Sequence, residues 1–305
     1  MNFSPGMQTF RRMAEGAAVM LAVVLVTLHF QKDRNPAEQF AAKSRRSDLA
    51  AQMQIALASA SEAEKSAVLA VTDEDSQKFA DQAHAASADV DRDRGELGEL
   101  LKTSDDQAAK DSLAEFSKAF AEFQEIDKGL LALAVQNTNI KATSLAFGPA
   151  TDALKEMDSA LAQIATDDAK VLRLADAARI AAWKILAMIP PHIAEESDPK
   201  MDAMEAQMAG EDEKVRKSLD ELAAIPALAG TAGFKSAVAN YAQFSETRAK
   251  ILKLSRENTN VRSLAISLNQ KRKIMLACQA ALTLLQQAIE AEPVAGIARE
   301  TAKPR

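Results

Sequence analysis

The chain is poor in the residues that build disulfides, metal cages and sheets. A single cysteine, Cys278, in 305 residues excludes an internal disulfide framework and any multi-cysteine metal or iron–sulfur site. Three histidines, His29, His84 and His192, leave little for histidine-based catalysis or metal binding. Aromatic residues make up only 4% of the chain, with ten glycines and nine prolines. So few breakers and aromatics, beside abundant Ala, Leu, Glu and Lys, favour long helices over strands. A net charge of −6 argues against nucleic acid as a partner. G-x-S-x-G, the Walker loop, the dinucleotide fingerprint and C-x-x-C-H are all missing, as are the Glu-x-x-His pairs of a di-iron bundle. The expectation is an all-α protein that is not an enzyme and carries no cofactor.

Gly16–Gln31 is an uncharged, mostly apolar run that follows Arg11 and Arg12. With Met13 to Glu15 added it approaches the length of a membrane span. We read 13–31 as an uncleaved anchor and 1–12 as a short cytoplasmic tail. A cleaved signal peptide would need a small-x-small site, and Thr27-Leu28-His29-Phe30 is a poor one. A buried soluble helix is the third alternative. Basic residues flank the run on both sides, so charge alone leaves the orientation open.

From Asn35 onward the punctuation predicts six helices, at about 35–71, 74–102, 105–147, 149–189, 199–224 and 232–290. Thr72-Asp73-Glu74-Asp75 and Thr103-Ser104-Asp105-Asp106 read as stops followed by acidic starts. Gly148-Pro149 separates two runs, and Pro190-Pro191 ends another. A helix of about 40 residues extends about 60 Å, which implies an elongated bundle. Leu113, Phe116, Phe120 and Phe123 form a coiled-coil-like seam, continued by Leu130, Leu133, Asn137, Ile140, Ser144 and Phe147. The chain also repeats itself. Asn137-Thr138-Asn139-Ile140-Lys141 recurs as Asn258-Thr259-Asn260-Val261-Arg262, and Phe120-x-x-Phe123 as Tyr241-x-x-Phe244. This suggests a duplicated helical unit, 32–147 and 148–292, followed by a disordered tail at 293–305.

Ala63-Glu64-Lys65-Ser66-Ala67-Val68-Leu69-Ala70, then DKGLLALAVQNTNIKATSLAFGPA (127–150), PPHIAEESDPKMDAMEAQM (190–208) and SRENTNVRSLAISLNQKRKIMLACQAALTLLQ (255–286) resemble the four-helix-bundle sensor domain of methyl-accepting chemotaxis proteins, in its standalone and bimodular form. The resemblance covers about 13–290. It implies a sensory, ligand-binding or partner-binding bundle on the periplasmic side of a bacterial inner membrane, held there by a single pass through the lipid. It departs from that family after Ala291. The tail EPVAGIARETAKPR is polar, and neither a second span nor a cytoplasmic signalling hairpin follows. Either the chain is a truncated receptor, or signal transduction would require a partner, a homodimer or a membrane receptor or kinase. A structural spacer or oligomerisation module without a small ligand is the alternative.

Two readings stand for Asn137 and Asn258. One is a buried amide at a seam position that sets register and oligomer state. The other is a ligand-contacting pair with Lys141 and Arg262, each at i+4, suited to a small carboxylate. His192 with Glu195 and Glu196 reads as a solvated acidic loop rather than a metal site, because H-x-x-E-E is not a helical metal spacing. Lys271-Arg272-Lys273 reads as a solvated helix face in preference to a contact with lipid headgroups or an acidic partner, Trp183 as a core anchor and Cys278 as a small buried apolar residue.

Overall fold

The structure, a computed structural model, describes residues 36–164 and 167–293. The expected anchor at 13–31, the tail before it and the residues after 293 lie outside the described residues. The described chain is helical, with no strand: α1 (Pro36–Leu69), α2 (Asp73–Lys102), α3 (Gln107–Ala134), α4 (Thr138–Leu145), a π turn (Ala146–Ala150), α5 (Thr151–Ala162), α6 (Ala169–Ala194), α7 (Asp198–Ala223), the single turn α8 (Pro226–Ala229), α9 (Ala232–Glu257), α10 (Thr259–Ile266), a second π turn (Ser267–Lys271) and α11 (Arg272–Ala291).

Side-chain caps set several helix starts. Thr72 Oγ1 accepts from Asp75 N at 3.1 Å, the cap that opens α2, and donates to the Asp75 carboxylate at 2.9 Å. Asp106 caps α3 through Ala109 N, Asp168 caps α6 through Lys170 N, and Thr231 caps α9 through Phe234 N. Each cap satisfies a donor that the first turn leaves orphaned and contributes about 1 kcal/mol.

The long predicted helix 105–147 is broken at a place that periodicity does not reveal. Asn137 has φ 51 and Asn258 has φ 53, both left-handed; Asn258 ends α9 and begins α10, and Asn137 begins α4 after the short turn that follows Ala134. Asn tolerates this region better than other non-glycine residues. The left-handed residue resets the helical phase. Beyond it the buried positions are Ala142, Ala146, Ala150 and Ala153, while Ser144 and Phe147 face solvent, Phe147 at 67% exposure. The seam predicted through Asn137 to Phe147 is corrected accordingly. The earlier seam residues Leu113, Phe116, Phe120 and Phe123 are all buried.

The break expected at Gly148-Pro149 is instead a π turn, and the helix runs on into α5. Pro149 has no N–H to give, and its ring would press on the Leu145 carbonyl in a regular helix. The wider turn accommodates it. This helical run ends later, at Ala162, and α6 begins at Ala169. Pro190 and Pro191 do not end α6 either, which continues to Ala194. The two π turns begin at Ala146 and Ser267, the same 121-residue offset that separates Thr138 from Thr259.

The chain divides into two compact units. One takes its described residues from the segment ending at Ile55, from Asp89–Lys118 and from the segment beginning at Cys278. Its buried apolar residues include Leu49, Met53, Val90, Leu97, Phe116, Cys278, Leu282 and Leu285. Within it, Arg46 donates to Ser104 Oγ at 2.8 Å and pairs with Glu292 at 2.5 Å, while Lys43 caps the end of α11 through the Glu290 and Glu292 carbonyls.

The other unit comprises Ala56–Ala88 and Ala119–Ala277. In it α5, α6, α7 and α9 pack around Leu154, Met157, Ile185, Val215, Leu222 and Phe244. Alanines at 175, 178, 181 and 182 along α6 let its neighbours approach closely. Trp183 is half-buried against this core and donates Nε1–H to Asp158 at 3.2 Å, beside the Arg179–Asp158 pair at 2.8 Å. Among the described residues one helical stretch, Ala232–Ala291, is by length and composition long and apolar enough to cross a membrane. That stretch also supplies the core residues Phe234, Tyr241, Phe244, Ile251 and Leu282.

Candidate functional site

The two Asn-Thr-Asn segments meet. Thr138 N donates to Thr259 Oγ1 at 3.2 Å, and Thr259 N donates to Thr138 Oγ1 at 3.1 Å. Asn139 N donates to Asn260 Oδ1 at 3.1 Å, and Asn260 N returns the bond to Asn139 Oδ1 at 3.2 Å. Asn260 Nδ2 reaches Asn137 Oδ1 at 3.0 Å, and Asn139 Nδ2 reaches Asn258 Oδ1 at 2.7 Å. Each of these bonds has its counterpart when a residue is exchanged with the one 121 positions away, so the two segments are related by a local two-fold axis at the threonines, across which Asn137 meets Asn260 and Asn139 meets Asn258. The first-turn N–H groups of α4 and α10 would otherwise be orphaned, and each set is capped by the other helix.

The left-handed asparagines extend this symmetry to two helical hairpins. Asn137 Nδ2 donates to Thr72 O at 3.3 Å and to Asp73 Oδ1 at 3.1 Å, in the turn between α1 and α2. Asn258 Nδ2 donates to Glu195 O at 2.8 Å, in the turn between α6 and α7. Asn139 Nδ2 also meets Ile193 O at 2.7 Å. Four chain segments are thereby tied at one level by side-chain amides and hydroxyls. Asn137 and Asn258 are nearly inaccessible, at 1% and 3% exposure.

Of the four candidate ligand residues, the structure brings the two asparagines into one network and puts the two cations on its rim. Lys141 Nζ is half-exposed, donates to Gln136 O at 2.8 Å and pairs with Asp73 at 2.8 Å. Arg262 is exposed and reaches Arg256 O at 3.5 Å. Each cation thus sits on a carbonyl that the left-handed break leaves outside the helical ladder. Lys141 first, and then the Asn137 amide, hold the Asp73 carboxyl below its ordinary range.

His192 is corrected from a solvated loop to a fully buried group in the last turn of α6. Its Nδ1 lies 2.8 Å from Ser255 Oγ and its Nε2 lies 2.9 Å from Glu205 Oε1. Serine, histidine and glutamate in that order suggest a nucleophilic triad. Here, however, Ser255 is fully buried and donates Oγ–H to His192 O at 3.0 Å, so its hydroxyl is engaged and shielded. The group ties α6, α7 and α9 together. Arg256 completes it, meeting Glu205 at 2.7 Å and Asp202 at 2.5 Å. The Arg256 guanidinium, and secondarily His192, hold the Glu205 carboxyl below its ordinary range against the opposing effect of burial.

Lys271 is corrected from a solvated face to the core, at 1% exposure. Its Nζ lies 2.5 Å from Asp127 Oδ1, 3.3 Å from Phe123 O and 3.1 Å from the centroid of the Phe123 ring. Glu64, from α1, is buried beside this group. No sequence signal marked it. Among the described residues, no group of three or more His, Cys, Asp or Glu is placed to hold a metal ion. Comparison with protein-family models, with curated proteins and with solved structures finds no match to this chain.

Proposed function

We propose that this chain is a sensory or partner-binding helical module, anchored in a bacterial inner membrane through 13–31, with its bulk periplasmic, that passes its signal to a membrane receptor or kinase or within a homodimer. What supports this reading is the paired Asn-Thr-Asn junction. It interrupts two helical runs at matched points and joins them to two hairpin turns through polar bonds alone. Hydrogen bonds of this kind exchange at small net cost, about 1 kcal/mol each, whereas packed apolar seams do not slide. Such a level suits an element that biases two helix arrangements when something binds. A small carboxylate is the ligand class that this reading favours, with Lys141 and Arg262 the solvent-reached cations near Asn137 and Asn258.

One observation favours the spacer alternative. The side-chain amides of Asn137 and Asn258 already bond to protein groups, as a purely structural junction would require. Thermal denaturation of the full chain against a panel of amino acids, organic acids and amines separates the two. A ligand that binds only the folded state raises the melting temperature. A rise that Lys141→Ala or Arg262→Ala abolishes, in chain that stays with membranes through a carbonate wash, supports the sensory reading. A flat response across the panel, with the oligomeric state changed by junction mutations, supports the spacer.

A further inference from the structure

We propose that Glu64 is a proton-binding site built into the core, held in its neutral form between α1, α3 and the second π turn, and that its ionisation loosens these elements from one another. Glu64 has 0% exposure, and neither carboxyl oxygen has a partner at full hydrogen-bond geometry, the Ser267 hydroxyl being only loosely placed to donate to it. An ionised carboxylate left in that state is among the costliest arrangements a core can hold, while a neutral carboxylic acid is far cheaper.

The nearby cation offsets this cost only in part. The Lys271 ammonium is committed to Asp127, to the Phe123 carbonyl and to the Phe123 ring. The groups facing Glu64 oppose one another. Ser267 and Lys271 on the π turn favour the ionised form, Asp127 on α3 disfavours it, and Lys65 on its own helix favours it weakly. In the adjoining core α2 places the apolar Ala80 and Ala83, and its buried Ser76 is committed to the Ala67 and Ala134 carbonyls. Burial outweighs the favourable groups and pushes the Glu64 carboxyl up.

The repeat argues that this polarity is not a packing requirement. At the equivalent positions of the first π turn stand Ala146 and Ala150, both buried, where the second has Ser267 and Lys271. The same backbone device therefore packs with two alanines in one copy and surrounds a buried carboxyl in the other. π turns concentrate at functional positions because their ladder is already loosened.

A carboxyl whose folded-state affinity for the proton is raised contributes stability that is complete below its unfolded value. That stability is lost as pH rises from that value through the folded one. The test unfolds the full chain by denaturant at a series of pH values, as wild type and as Glu64→Gln, which keeps the shape but cannot ionise. The stability of the wild type relative to Glu64→Gln is expected to fall as pH climbs above the ordinary value of 4.5. The fall is about tenfold in the folding constant per pH unit, levelling where the buried carboxyl ionises. Parallel profiles for the two proteins would overturn the proposal. If Glu64→Gln does not fold, infrared spectroscopy of wild-type chain with carbon-13-labelled glutamate gives the answer directly. A protonated glutamate band persisting at about pH 6, where exposed glutamates are ionised, is expected, and its absence refutes the site.

Discussion

Thr138 and Thr259, 121 positions apart in the chain, each donate a backbone N–H to the other's hydroxyl, and the two hydroxyls stand 3.1 Å apart. The exchange is symmetric except at the hydroxyl–hydroxyl bond, where only one proton lies between the oxygens. Helix starts normally satisfy their orphan donors locally. Here two duplicated starts satisfy each other, which makes the junction a property of the pair.

That arrangement predicts coupling. Thr138→Val leaves Thr259 N–H without its acceptor and should cost about 1–3 kcal/mol, while Thr138→Ser should cost much less. In a double-mutant cycle with Thr259→Val, the shared hydroxyl bond is lost only once. The double variant should therefore be less destabilised than the sum of the singles by about 0.5–1.5 kcal/mol, measured by chemical denaturation. Strict additivity would mean that the two threonines do not act together.

Asn137→Leu tests the left-handed break. A buried seam asparagine in a continuous helix would be replaced by leucine with equal or greater stability. The observed φ of 51 and the bonds to Thr72, Asp73 and Asn260 predict the reverse. Strain and lost hydrogen bonds together should cost about 2–4 kcal/mol. Asn137→Gly keeps the backbone region and should fall between the two. A leucine variant as stable as wild type would restore the seam reading.

The Asp127–Lys271 pair should respond unequally to single and double substitution. Lys271→Met leaves Asp127 buried without its cation, at a cost of about 3–5 kcal/mol. Replacing Asp127 by Leu as well should recover much of that loss, because a packed apolar pair needs no compensation for buried charge. Failure of the double variant to recover any stability would show that the pair's place in the core depends on its charges.

Acid should act on Glu205 in the opposite sense to Glu64. Its folded-state proton affinity is lowered, chiefly by Arg256. Its contribution is present above the ordinary value of 4.5 and is lost as pH falls through the folded value. Glu205→Gln should therefore be less stable than wild type near neutrality, and the gap should close as pH drops below that ordinary value. The carboxyl is about one-third exposed, so solvent screening keeps the effect modest. A gap unchanged down to strongly acidic pH would mean that Arg256 does not select the ionised form.

Much of the helical plan was legible. The stops at Leu69 and Lys102 are followed by Thr72 and Asp106, short polar side chains that suit caps, and the structure uses both as such. The repeated Asn-Thr-Asn marked the junction, because two identical polar triplets do not arise from amphipathic pattern alone. Its conformation was not legible. A left-handed residue leaves no gap in composition and shifts only the phase of the helix beyond it, so Ser144 and Phe147 looked like seam residues and are exposed. Lys271 stands in a run of three basic residues, and its partner Asp127 lies 144 positions away. His192 sits among prolines and glutamates that suggest a loop, yet its partners are Ser255 and Glu205 on two other helices.

The sequence by itself determined that the described chain is helical and that it repeats at an interval of 121 residues, because propensity, breakers and side-chain order are local quantities. Only the tertiary structure decided which polar residues are buried and with whom. Burial of a charge or an amide depends on partners supplied by distant segments, and the desolvation cost that makes those partners necessary appears only once the helices have packed.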